Sequence, residues 1–313
     1  MTAGHTVAIV DIGSNSIKSL VATRARDGGL VALTSRAIDA RISAGISHTA
    51  PRLGEEGMAL GLAAIRALLA EAAPFEPGRT ILVATSAVRD ARNGADFRER
   101  VRAATGQQIR ILTGDEEADL IGRGLTCDPA LRSWRNFYVF DLGGGSLECL
   151  AFRDRRSEQA VSLQLGCVRL TEEFVADPAQ PFAEAARIAL GTHVRDVMDR
   201  AAFAFALPSG APAVGTGGTV ATARAILGAP RGQTFDATDP FLSLTQLREL
   251  LTELGALPLT ARKEIPGLPP ARADVFPVAL AVLIAMAEIG GLLGYTHSLY
   301  NLRYGLAAEA LEA

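Results

Sequence analysis

The chain has 313 residues, long enough for two domains, and its 49% apolar and 21% charged residues fit a folded globular enzyme rather than a disordered segment. A formal net charge of −3 leaves no global basic field, so nucleic acid is not an expected partner. Three cysteines without a C-x-x-C pair and four scattered histidines indicate neither a zinc site nor a disulfide framework, and a cytoplasmic location is expected.

Met1 to His5 lack the charged and apolar regions of a signal peptide. Val7 to Val10 reads as a short strand that enters Asp11-Ile12-Gly13-Ser14-Asn15-Ser16, and Ile17 to Ala22 reads as the strand that leaves it. Arg26 to Gly29 is a turn signal and Leu30 to Ile38 a third strand, followed by a polar, irregular stretch from Arg41 to Leu53. Glu55 to Ala72 carries apolar residues at helical spacing and ends before Pro74. Thr80 to Ala84 is a strand leading into Thr85 to Ala91; Ala95 to Ala104 reads as helix and Gln108 to Leu112 as strand. This alternation predicts an α/β layer structure with a mixed sheet.

Thr113 and Glu116 have the spacing of a capping box at the start of the next helix. That role accounts for Glu116 and leaves Glu117, one position on, unexplained: the residues by themselves fit either an ordinary surface glutamate of a first helical turn or a functional carboxylate. After a linker near Asp128-Pro129, Phe137 to Phe140 is a strand running into Asp141-Leu142-Gly143-Gly144-Gly145-Ser146-Leu147-Glu148, and Leu147 to Phe152 leaves it. Bare glycine backbone lets several N–H groups converge on an anion. The flanking carboxylates, Asp141 and Glu148, make sense if a metal ion sits between them and a phosphate. Arg153, Arg155 and Arg156 cluster just beyond and read as a solvated loop.

The two turns are related. An offset of 130 residues places Asp11 on Asp141, Gly13 on Gly143, Ser16 on Ser146 and Leu20 on Leu150, which marks an internal repeat and two similar domains sharing a cleft. In the second copy Val161 to Leu165 reads as a third strand, and Cys167 as a packed thiol rather than a nucleophile. Ala183 to Phe203 is a long predicted helix. Pro212 to Val214 then enters Gly215-Thr216-Gly217-Gly218-Thr219, a second place where a helix N-terminus can hold phosphate, although neither a G-x-G-x-x-G fingerprint nor a P-loop is present. The remainder reads as mostly helical, with breaks at Pro258, Pro266 and Pro269-Pro270. Within it the apolar stretch Val275 to Tyr295 is expected to be a buried core helix rather than a membrane span, so no membrane partner is expected.

Six motifs in sequence resemble the exopolyphosphatase/guanosine pentaphosphate phosphatase (Ppx/GppA) family, in its short form without extra C-terminal helical domains. They are Asp11 to Ser16, Ala84 to Ala91, Gly114 to Ala118, Asp141 to Ser146, Gly166 to Glu172 and Arg272 to Val275. The resemblance implies two ribonuclease-H-like domains of the actin/hexokinase/Hsp70 type flanking a phosphate-binding cleft. The domains are expected at 1–125 and 126–301, with a final helix near 302–313 packing back on the first. It implies Glu117 as general base, Asp141 and Glu148, together with Asp11, as metal-associated acids, and Arg89 as a phosphate contact. Gly13, Ser14, Asn15, Ser16, Gly143, Gly144, Gly145, Ser146, Gly215, Thr216, Gly217, Gly218 and Thr219 are the expected phosphate-binding turn residues. The implied reaction is Mg²⁺-assisted (or other divalent-cation-assisted) attack of water on a terminal phosphoryl group of polyphosphate or of guanosine pentaphosphate, the nucleotide of the stringent response. A kinase of the same superfamily and a non-catalytic sensor of phosphorylated nucleotides are the alternatives, and a homodimer is one expectation for assembly. The chain departs from the family pattern at Tyr304, where Glu is usual, at Val278, where Gly is usual, and around Arg41 to Ile46.

Overall fold

The structure, a computed structural model, describes residues 6–43 and 51–312. Part of the departure at Arg41 to Ile46, and the reading of Met1 to His5, lie outside these residues. The chain divides into two compact units, Met1–Ser133 with Tyr300–Ala313, and Trp134–Leu299.

The first unit opens with three antiparallel strands, β1 (Thr6–Ile12), β2 (Ser16–Arg24) and β3 (Leu30–Asp39). Helix α1 (Glu55–Ala72) follows, placing Met58, Ile65 and Leu68 on one buried stripe. Next come β4 (Arg79–Ala84), the single-turn helix α2 (Ser86–Asp90), α3 (Gly94–Thr105), β5 (Ile109–Ile111) and α4 (Gly114–Thr126). The sheet order is β3-β2-β1-β4-β5, with β4 parallel to both β1 and β5. Val10, Ile12, Ile17, Leu82 and Phe97 lie at the centre of its core. The segment after α4 stays with this unit: Asp128 accepts a hydrogen bond from Ala130 N at 2.8 Å, and Leu131 is buried.

The second unit repeats the scheme. β6 (Phe137–Leu142), β7 (Leu147–Arg153) and β8 (Arg156–Leu163) form the antiparallel set. They are followed by α5 (Cys167–Phe174), α6 (Glu184–Arg200), β9 (Ala213–Thr216), α7 (Gly217–Gly228), β10 (Phe241–Ser243), α8 (Leu244–Gly255), α9 (Leu259–Arg262), α10 (Phe276–Gly290) and β11 (Gly294–His297). Its sheet order, β10-β11-β9-β6-β7-β8, contains the order of the first sheet with β10 added at the edge. The expected fold, two ribonuclease-H-like α/β domains, is therefore the observed one.

Several elements differ from their sequence-based bounds. β8 starts at Arg156, not Val161, because Asp154 and Arg155 adopt positive φ angles of 50° and 62° and close a two-residue hairpin. The arginines around it are not a bare basic loop: Arg153 pairs with Glu158 at 2.9 Å, and Arg155 donates to Trp134 O at 3.1 Å. α6 ends at Arg200, leaving Phe203 to pack edge-on against Tyr138 and Phe140. The apolar stretch from Val275 resolves into α10, a core helix buried continuously from Phe276 to Ala287, and then β11. Val278 is one of these core residues, which accounts for an apolar side chain there. β10 and β11 were not legible as strands; at three and four residues they are too short to show alternation.

The last helix, α11 (Leu302–Glu312), returns to the first unit and packs on α4. Gly124 and Gly305 let the two backbones touch: a Cβ on either would overlap a carbonyl oxygen, of Asn301 or of Leu120. Tyr304 is buried and packs on Tyr300 with ring centroids 4.2 Å apart.

Candidate active site

In the first unit the β1–β2 turn is tied down from three sides. Ser14 Oγ shares a hydrogen bond with Ser86 Oγ at 3.1 Å, which fastens the turn to the start of α2. Asn15 O accepts from the N–H groups of Ala40 and Arg41, at 3.1 and 2.8 Å, and Ser14 O accepts from Ser43 N at 3.2 Å. Asn15 is only 4% exposed, yet among the described residues neither its Oδ1 nor its Nδ2 has a partner, and neither has the buried Ser43 Oγ nearby. Buried amides are nearly always satisfied, so this one has capacity for a ligand or water.

Glu117 and Arg89 come together. The capping box at Thr113 is formed as expected: Thr113 Oγ1 accepts from Glu116 N at 3.1 Å and Glu116 Oε2 accepts from Thr113 N at 2.8 Å. Glu116 is thereby committed, and its carboxyl is held below the usual range by that backbone bond and then by Arg110. Glu117 points elsewhere, 7% exposed, and accepts from Arg89 Nη1 at 3.2 Å. The same Arg89 nitrogen donates to Leu112 O at 2.9 Å, while Nε lies 3.4 Å from Asp90 Oδ1. Arg89 thus bridges the end of α2 to the start of α4 and aims the Glu117 carboxylate.

Asp11 lies near the end of β1, opposite Lys18 on β2. Desolvation raises its carboxyl above the usual carboxylate range, and the charges of Lys18 and Arg303 offset only part of that rise. Arg303, buried on α11, donates to Ser19 O at 2.9 Å and to Ser35 Oγ at 3.0 Å.

In the second unit the β6–β7 turn uses its carbonyls for support. Gly143 N donates to Ser146 O at 3.0 Å; Cys167 N donates to Gly143 O at 3.0 Å, Val168 N to Gly144 O at 2.9 Å and Arg169 Nε to Gly145 O at 3.1 Å. Cys167 is therefore a structural residue, buried at the first position of α5. Among the described residues no backbone acceptor takes the N–H of Gly144 or Gly145, so these donors are the ones an anion can use. Asp141 and Glu148 lie directly opposite each other across β6 and β7. Glu148 is buried and accepts from Ser162 Oγ at 2.8 Å.

The turn at 215–219 splits into two kinds of residue. Gly215 lies inside β9, where a Cβ would crowd Val220 and Tyr295, and Thr219 Oγ1 donates to Leu142 O at 3.2 Å; both serve packing. Thr216 is fully buried, opposite Asp141 across β9 and β6. Gly217 and Gly218 carry the N-terminus of α7. Gly217 has a φ of 83°, and a Cβ there would overlap Asp141 Oδ1; a Cβ on Gly218 would overlap the guanidinium of Arg272. A carboxylate and a guanidinium therefore flank the same bare helix start, a place where partial positive charge and orphan N–H groups attract phosphate.

Arg272 was not among the expected contacts. Its motif was visible in the sequence, but nothing local tells that its side chain reaches a helix start more than fifty residues earlier in the chain. Lys18 did leave a signal, since the 130-residue offset superposes it on Glu148.

A family model described as the Ppx/GppA phosphatase family matches residues 21–312. The chain belongs to the Ppx/GppA phosphatase family. Solved structures of similar proteins agree on the fold. An exopolyphosphatase from Cytophaga hutchinsonii is 21% identical with a TM-score of 0.87, and the match covers 98% of each chain. An exopolyphosphatase-like protein is 23% identical with a TM-score of 0.85 over 98% of this chain and 99% of its own. The Ppx/GppA family member of Aquifex aeolicus is 23% identical with a TM-score of 0.78 over 98% of each chain. At these identities the likeness establishes the architecture, and the Ppx/GppA family assignment makes the chain a phosphatase.

Proposed function

We propose that this Ppx/GppA chain releases terminal phosphate from inorganic polyphosphate, with guanosine pentaphosphate as a second substrate, by attack of water with Glu117 as general base. The observation that carries the proposal is the Arg89–Glu117 pair at 3.2 Å. A general base must be held where it can reach the proton of the attacking water, and the Arg89 guanidinium fixes the orientation of this carboxylate. The neighbouring glutamate is consumed by the capping box, so the carboxylate beyond it is the one left for chemistry. The substrate reading draws on the similar solved structures that carry the name exopolyphosphatase.

In this reading the water oxygen attacks terminal phosphorus, the bridging P–O bond breaks, and the water proton passes to Glu117. The N–H groups of Gly144, Gly145 and Gly218, with the Arg272 guanidinium, bind phosphoryl oxygens; Ser146 and Thr216 border these turns. Asn15 adds a buried amide able to bond a phosphate oxygen, and Gly13, Ser14 and Ser16 shape its turn. The donor set also fits a magnesium ion. Among the described residues no group of three or more His, Cys, Asp or Glu side chains is assembled. Magnesium needs only one or two carboxylates, completing its shell with water and substrate oxygens, and Asp141 with Glu148 supply that number. When bound there, the ion would neutralise charge on the phosphoryl oxygens.

The test is phosphate release from long polyphosphate and from guanosine pentaphosphate side by side, with and without Mg²⁺. Glu117→Gln should abolish release while leaving substrate binding largely intact, and a variant as active as the parent would remove Glu117 from the base role.

A further inference from the structure

Arg262, the last residue of α9, is only 2% exposed, a rare place for a guanidinium. Its donors go to backbone carbonyls of two stretches far apart in the chain. Nη1 donates to Ala273 O at 3.0 Å, while Nη2 donates to Pro178 O at 2.6 Å and to Gln180 O at 3.0 Å. Among the described residues Nε has no partner. Burial pulls the pKa of the group down, and the charge of Asp274 opposes that fall. An apolar side chain would fill the same space without the cost of burying a charge, so packing alone does not account for an arginine here.

The residues that Arg262 holds give it a use. Ala273 is fully buried and follows Arg272 directly. Arg272 ends a single 3-10 turn, Pro270–Arg272, and its guanidinium lies along the start of α7. There Nη1 reaches Thr222 Oγ1 at 3.5 Å, the limit of a hydrogen bond. A contact that long fixes the tip of the side chain weakly, so its aim depends on where the backbone of the turn is anchored. One anchor is Gly267, with a φ of 89° and no room for a Cβ against the Ala225 backbone of α7. A second is the Arg262–Ala273 bond, one residue from Arg272 itself. Because a guanidinium is one rigid plane, the carbonyls of Pro178 and Gln180 brace that bond from its other side. The bond from Leu259 N to Ala179 O, at 2.9 Å, fastens the same segment to α9.

We infer that Arg262 is a positioning residue for the phosphatase reaction: by holding the Ala273 carbonyl it sets Arg272 over the start of α7, and its loss is felt at the bound phosphate as well as in stability. The inference rests on the reading of Arg272 as a contact to phosphoryl oxygens.

The experiment is a four-member cycle on the full chain: parent, Arg262→Lys, Arg272→Met and the double variant. Each is assayed for phosphate release from polyphosphate and melted in urea. Lysine keeps the charge but replaces the planar fork with one ammonium, which cannot serve both segments in the same geometry. Arg262→Lys should lower kcat/KM roughly 10- to 100-fold, as displacement of a binding group does, and by no more than Arg272→Met. In the Arg272→Met background the same substitution should change kcat/KM by less than about 2-fold, while the fall in urea midpoint is equal in both backgrounds. A purely structural arginine would not show that split. Equal fold-losses of kcat/KM in both backgrounds, or no loss in Arg262→Lys, overturn the inference. Should Arg262→Lys fail to fold, Arg262→Gln takes its place in the cycle; a chain that folds with neither makes Arg262 a folding residue and also overturns it. An Arg272→Met chain as active as the parent refutes instead the phosphate contact underneath, and a parent that releases no phosphate refutes the proposed function.

Discussion

Gly218→Ala separates function from stability. Gly218 is the second residue of α7 and is absent from the positive-φ positions, so alanine meets no backbone strain there. Alanine in a helix is favoured over glycine by up to about 1 kcal/mol, less at a terminus, so thermal stability should hold or rise slightly. The new Cβ, however, would sit 2.6 Å from Arg272 Cζ and closer still to Nη2. Backbone cannot yield at a helix start packed on β9, but the end of an arginine can, so the guanidinium moves away. If Arg272 binds a phosphoryl oxygen, the loss is one hydrogen bond between charged groups, about 1.5–3 kcal/mol. That is a fall of roughly 10- to 100-fold in kcat/KM. The assay is initial-rate phosphate release from polyphosphate over a range of concentrations, with a melting curve on the same samples. Arg272→Met is the control, and the double variant should be no worse than the poorer single one, since both remove the same contact. Unchanged kcat/KM in Gly218→Ala, or losses that add in the double variant, would refute the placement of Arg272 over the turn.

Two further outcomes follow from other parts of the molecule. His297 is 7% exposed beside Arg224, and burial first, then the Arg224 charge, lowers its pKa from 6.5 to about 4. Because the folded value is depressed, the neutral ring's contribution is complete above pH 6.5 and is lost as pH falls towards 4, an effect of about 3 kcal/mol. Urea midpoints at pH 7.5, 6 and 5 should therefore fall more steeply for the parent than for His297→Gln, and equal slopes would count against the assignment. Thr113→Ala removes the hydroxyl that caps α4 and should cost about 1 kcal/mol in a urea titration at neutral pH. No change would mean that the capping box contributes nothing.

Much of the candidate site was legible because its signals are local. A glycine turn between two apolar runs needs only neighbouring residues to declare itself, and Thr113 with Glu116 announces a helix start from spacing alone. The repeat from Asp11 to Asp141 likewise required only the order of residues, and with it came the duplicated α/β plan. The roles inside these motifs were less legible. Gly215 and Thr219 share a motif with Gly217 and Gly218, yet the first pair packs against Val220, Tyr295 and Leu142 while the second faces Asp141 and Arg272.

What the sequence alone determined was the set of turns, the fold class and the family, all carried by residues close together or repeated at a fixed offset. Only the tertiary structure decided which charges meet. Arg89 reaches Glu117 from 28 positions away, Arg303 acts on Asp11 from the other end of the chain, and Arg272 covers a helix start that lies more than fifty residues before it. Electrostatic partners are chosen by distance in space, which falls off without regard to chain order, so this part of the chemistry appears only once the sheets and helices have brought those side chains together.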